Sequence, residues 1–126
     1  MYDTGALISG ERGERAVWAL HRRILERGLR PTVPATVLAQ AWRGGPQAQL
    51  SRLLAGCDVR ELTEEHARLV GRVLRETSTS DIVDASVVVI ARTRAEEVIT
   101  SDVGDLNNIA DALGRPRVVI RSISDL

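Results

Sequence analysis

Residues 80–114 read SDIVDASVVVIARTRAEEVITSDVGDLNNIADALG. Ser80 or Asp81 is a natural cap for a helix beginning at Ile82, and Ile82 to Ala91 is apolar apart from Asp84 and Ser86. Val87-Val88-Val89-Ile90 has strand propensity, yet we read the whole run as a buried helix. Glu97-Val98-Ile99-Thr100 is a short strand, and Leu106 to Leu113 is a helix closed by Gly114. A helix, a strand and a helix therefore follow one another without hairpin turns.

The same alternation continues outward. Glu14 to Arg27 puts Ala16, Val17, Leu20, Ile24 and Leu25 on one stripe and Arg22, Arg23 and Glu26 opposite, an amphipathic helix with its stop at Gly28. Pro31-Thr32-Val33-Pro34 is short and extended, and Val37, Leu38, Ala41 and Trp42 mark a helix from Ala35 that ends at Gly44-Gly45-Pro46. Gln47 to Leu54 is helical, Asp58 to Leu62 alternates like a half-exposed strand, and Thr63 caps a helix that runs to about Glu76. Arg117 to Ile120 is the last strand. Connections this long exclude hairpins and predict an α/β fold, a mostly parallel central sheet flanked by helices on both faces. Residues 1–126 read as a single domain.

Composition removes several function classes. The chain has 17 basic residues, all Arg, against 17 acidic ones, so it has neither a polybasic arm nor an acidic tail. Without Lys there is no P-loop, no Schiff-base chemistry and no receiver-type phosphorylation switch. No apolar run approaches the ~20 residues of a membrane span, the first residues lack an export signal, and Cys57 is the lone cysteine, so no internal disulfide forms. A cytoplasmic location with no membrane partner is the expectation.

In parallel sheets ligands bind beyond the carboxyl ends of the strands, and the residues expected there are acidic. Asp3 follows the shortest candidate strand, Asp102 follows Val98-Ile99-Thr100, and Asp84 lies one turn after Asp81; Asp102 and Asp105 repeat that spacing of three. Asp81, Asp102 and Asp105 each have an ordinary reading as helix caps. Asp84 does not, because a carboxylate in an apolar run needs a cation, a hydrogen-bond partner or a path to water. Gathered carboxylates raise one another's pKa, a cost that a hard divalent cation removes.

Three segments resemble the PIN-domain ribonucleases, and most closely the VapC-type toxins of type II toxin-antitoxin systems: Asp3-Thr4-Gly5-Ala6-Leu7-Ile8, Asp84-Ala85 with the Val-rich run behind it, and Thr100-Ser101-Asp102-Val103-Gly104-Asp105-Leu106. Val33-Pro34-Ala35 also fits, so the resemblance spans essentially the whole chain. It implies a three-layer α/β/α PIN-like domain and a metal-dependent endoribonuclease that holds Mg2+ or Mn2+ on Asp3, Asp84 and Asp102, with Asp105 competing for the last place and Asp81 as an additional acid. It also implies a cognate antitoxin protein and a homodimer.

In such a site a metal-activated water hydrolyses the RNA phosphodiester. Thr4 and Ser101 are read equally as second-layer hydroxyls orienting carboxylates or as plain turn residues. Arg43 is the expected phosphate contact. Trp42 is expected in the core in preference to stacking on a base, and His21 and His66 at the surface or its boundary. Two positions depart from the resemblance. Gln40 stands where an acid is expected, and only Met1 and Tyr2 precede Asp3, so the first strand is expected to be cut short. Both departures sustain the alternative of a catalytically degenerate PIN-like binding or regulatory module.

Overall fold

The computed structural model describes all 126 residues, Met1–Leu126. Its elements run in the order α1 (Thr4–Glu11), α2 (Arg15–Glu26), β1 (Thr32–Pro34), α3 (Ala35–Ala41), α4 (Ala48–Ala55), β2 (Asp58–Arg60), α5 (Glu64–Thr77), α6 (Ile82–Arg94), β3 (Val98–Thr100), α7 (Gly104–Leu113) and β4 (Ile120–Ser122), with a final 3-10 turn at Ile123–Asp125. The class is the expected one, α/β.

The sheet is assembled from very short pieces. β1 pairs in parallel with β2, and β3 in parallel with β4. Met1 to Asp3 join the two ladders: Tyr2 donates its N–H to the Thr32 carbonyl at 3.0 Å on one side, while Ile99 N–H reaches the Met1 carbonyl at 2.9 Å on the other. Tyr2 and Ile99 form a parallel bridge. The strand order is thus β2, β1, residues 1–3, β3, β4. The chain steps outward from its first segment to β1 and β2, then returns to lay β3 against the opposite side of that segment. Such a reversal is where parallel sheets form a crevice for ligands beyond the carboxyl ends of their strands, here those of residues 1–3 and β3.

Two elements and one residue differ from the sequence reading, each for a local reason. α1 has no counterpart in the amphipathic pattern because it has no polar face: Ala6, Leu7, Ser9 and Gly10 are all buried. A Cβ on Gly10 would lie 2.6 Å from Leu53 Cδ2, so the bare glycine is what lets α1 and α4 close together. The last strand begins three residues later than expected. Arg117 is tied to Asp111 and Asn107 by hydrogen bonds of 2.9 Å each, and only the Val119 carbonyl, which accepts from Val98 N–H, leads the chain into the ladder. Third, His21 is no surface residue. It is 4% exposed, its Nδ1 is 3.0 Å from Tyr2 Oη, and Trp18 packs edge-on against its ring.

α6 is a helix, as read, and the physical reason is its surroundings. Asp81 caps its start, Ala95 closes its end in the left-handed conformation, and every residue from Ala85 to Ala91 is buried among α3, α5 and α7. A helix covered on all sides needs no apolar stripe, so β-branched residues are accommodated there. No helix is long and apolar enough to cross a membrane.

Candidate functional site

Asp3 ends the first strand segment and caps α1 in the same residue. Its extended backbone lets Oδ1 accept the Ala6 N–H at 2.9 Å, one of the amides a helix start leaves unpaired. Oδ2 accepts from the hydroxyl of Thr100, the last residue of β3. That same hydroxyl accepts the Asp102 N–H at 3.0 Å, so one buried Thr side chain binds the ends of two neighbouring strands together. Asp3 is only 6% exposed, and burial pushes its carboxyl above the ordinary range. Thr100 and the amides of Gly5 and Ala6 oppose that rise, while the charge of Asp102 adds to it.

Asp84 belongs to the first turn of α6 and is half-buried. Its carboxyl is pushed up to about 7, first by burial, then by the charge of Asp81 and a hydrogen bond between the two carboxyls, then by Asp3 and Asp105. Acids from the first strand segment, from α6 and from α7 therefore share one field across the crevice. Asp81 performs its ordinary role as well, accepting the Asp84 N–H at 2.9 Å as cap of α6. Asp102 is exposed and accepts the Gly104 N–H at 3.1 Å in a tight turn. Asp105 is exposed in the first turn of α7 and caps nothing; the cap position is Val103.

The remaining expected residues divide. Thr4 donates to Gln40 Oε1 at 2.5 Å, which places the end of α3 directly beside the acidic edge. Ser101 is exposed and orients no carboxylate; its Oγ lies against Gly5, where a Cβ would come within 2.2 Å. The hydroxyl that holds Asp3 is that of Thr100, which sequence reasoning passed over although it stands in the quoted turn. The signal was there: a β-branched hydroxyl residue at a strand end is positioned to bond the adjacent strand end. Trp42 is not core. α3 stops at Ala41, Trp42 adopts an extended conformation, and the residue is 42% exposed. Arg43 is exposed beside it, one guanidinium nitrogen donating to the Trp42 carbonyl at 2.8 Å.

The charge balance of this edge sets it apart from the rest of the molecule. Arg side chains pair with Asp58, Glu64, Glu96, Glu97 and Asp111 elsewhere. None of Asp3, Asp81, Asp84, Asp102 or Asp105 takes part in an ion pair. An acidic crevice left uncompensated in a chain with 17 Arg is chemically suited to a hard divalent cation held by oxygen donors. As placed, no three carboxylates close into a complete ligand shell.

No family model matches this sequence, and no curated protein does. Among solved structures, 97% of the chain superposes on 96% of a chain in the crystal structure of VapBC2 from Rickettsia felis bound to a DNA fragment from their promoter, with a TM-score of 0.73 and 12% identical residues. The two chains share a fold. At that identity the likeness with the VapBC2 chain is one of architecture, and it extends over nearly the full length of both.

Proposed function

We propose that the protein is a divalent-metal-dependent endoribonuclease acting as the toxin of a toxin-antitoxin pair. The observation that carries this reading is the set of acids without ion-pair partners at the point where the strand order reverses, with Asp84 raised to about 7 first by burial and then by Asp81, Asp3 and Asp105. The fold shared with a chain of a VapBC2 complex supports the toxin-antitoxin setting.

Asp3, Asp84 and Asp102 would hold Mg2+ or Mn2+, with Asp105 as the competing donor at the α7 end. The bound ion would supply acidified water and neutralise charge on the phosphate in the transition state. The chain's own part is positional. Asp3 is fixed in orientation by Thr100 and the Ala6 amide, so one ligand is preorganised. The raised Asp84 carboxyl must be deprotonated to serve as a ligand, so metal binding there would compete with a proton. Arg43 offers donors to RNA phosphate, and the exposed indole of Trp42 offers a face on which a base can stack. An antitoxin would cover this edge with a basic residue, and the toxin would pair as a homodimer.

The test is cleavage of cellular RNA with and without Mn2+ by the wild-type protein, Asp3→Ala and Asp84→Ala. Wild-type cleavage is expected only with the metal. Each variant should lose on the order of 100-fold or more, since even residues that merely orient metal ligands cost 10–100-fold. Cleavage at equal rates by all three proteins rejects the reading. A second reading, a catalytically inactive binding module of the same fold, is favoured by Gln40 and by the double hydrogen bonding of the Asp3 carboxyl. Calorimetric titration separates the two: an enzyme binds Mn2+ through Asp84, and an inactive module shows no heat that Asp84→Asn removes.

A further inference from the structure

Gln40 lies in the last turn of α3 and is exposed, yet its side chain is held. Thr4, the residue after Asp3, donates its hydroxyl to Gln40 Oε1 at 2.5 Å. A primary amide is planar, so engaging its oxygen turns the NH2 group away from Thr4. That NH2 has no partner in the protein. Two donors are therefore presented at the rim of the acidic crevice, fixed in direction by the residue next to its most buried carboxylate.

The end of α3 carries a cation of its own. The carboxyl end of a helix ordinarily repels negative charge. Here Arg43 folds back, its guanidinium donating to the Trp42 carbonyl at 2.8 Å and approaching the Ala39 carbonyl at 3.4 Å, so a cation covers the helix end beside the amide. The backbone N–H of Arg43 is spent on Gln47 Oε1 at 2.8 Å, which holds the chain in this course after the helix ends. An acid at position 40 would add charge to a crevice already crowded with carboxylates. A neutral amide adds none and donates instead.

We infer that Gln40 is a phosphate-binding residue, its NH2 donating to a non-bridging oxygen of the RNA strand next to the phosphate being cut, with Thr4 as the positioning residue that aims it. The inference rests on the ribonuclease reading and deepens it: the side of the crevice formed by α3 grips substrate, and the metal is left to Asp3, Asp84 and the α7 turn.

Steady-state cleavage of a short fluorogenic oligoribonucleotide in Mn2+ tests this, together with Mn2+ titration calorimetry in the absence of RNA. Gln40→Ala should raise KM about tenfold, the worth of one hydrogen bond to a charged acceptor, with kcat little changed and Mn2+ affinity equal to wild type. Gln40→Glu should raise KM further while tightening Mn2+ binding. Thr4→Val should raise KM by less than Gln40→Ala, because the amide is loosened but retained. Methylphosphonate replacement of single phosphates should reveal one position at which wild type and Gln40→Ala become equal. An unchanged KM in Gln40→Ala overturns the inference, as does a loss of Mn2+ affinity in that variant, which would make Gln40 part of the metal site. A wild-type protein that cleaves no RNA defeats the ribonuclease reading and this inference with it, whereas active wild type with indistinguishable Gln40→Ala defeats the inference alone.

Discussion

Thr100 shows how much of the site depends on one hydroxyl. It donates to Asp3 and accepts from the Asp102 amide while fully buried, so removing it leaves a buried carboxylate oxygen and an amide without partners. Thr100→Val is expected to lower stability by about 1–3 kcal/mol, read by chemical denaturation, and to weaken Mn2+ binding 10–100-fold, read by calorimetry; Thr100→Ser should restore both. Asp84 carries the pH dependence. Its folded-state pKa of about 7 lies above the ordinary 3.8, so the folded protein binds this proton more tightly than the unfolded chain does. The resulting stability is fully present below 3.8 and is lost as pH rises through 7. Metal-free wild type should therefore melt progressively lower across that window, and Asp84→Asn should melt a few degrees higher than wild type above pH 7. Identical melting profiles for the two proteins would remove the argument that burial and neighbouring acids raise this carboxyl. Asp84 was legible from sequence because a charge within an apolar run is conspicuous. Thr100 was not, because nothing in a local pattern says which strand end will lie beside it.

Among the elements, α1 and the turn after β3 are locked together by Gly5. A Cβ there would meet Ser101 Oγ at 2.2 Å and the Ser101 backbone nitrogen at 3.2 Å. Gly5→Ala is expected to cost about 1–3 kcal/mol through overpacking, read as a lowered denaturation midpoint. Gly5→Ala with Ser101→Gly should recover most but not all of it, since the backbone contact remains. The helices with one apolar face, α2, α4 and α5, were readable from period alone, with boundaries within about two residues. α1 escaped notice because its apolar residues surround it and leave no period to detect. The Val-rich run of α6 was ambiguous for the same reason. Capping by Asp81 and burial against three helices decide it, overriding the strand preference of its residues.

For the molecule as a whole, the first strand segment is the axis on which everything else is hung. Tyr2 is fully buried, bridges the two ladders through its backbone and bonds His21 through its hydroxyl, so the sheet centre is tied to α2. Tyr2→Phe should destabilise the protein by about 1–3 kcal/mol, because His21 Nδ1 loses its partner in a buried place. His21 also opposes Asp84 in pH dependence. Burial lowers its pKa below 6.5, so the unfolded chain binds that proton more tightly and stability falls as pH drops below 6.5. In Asp84→Asn the profile should accordingly fall less with pH through that region than in wild type, with His21 opposing the remaining raised carboxyl of Asp3, measurable by thermal melts across a pH series.

What composition and pattern settled was the class of molecule: alternating short strands and helices, no Lys chemistry, and acids at the strand ends. These are properties of neighbours along the chain, where side-chain periodicity and capping act over a few residues. The reversal of strand order, the Thr100 bridge, the burial of His21, the exposure of Trp42 and the aim of the Gln40 amide came only with the folded molecule. Each depends on residues far apart in the chain meeting at the sheet, and the free energy of such contacts comes from burial and hydrogen-bond pairing that no local pattern encodes.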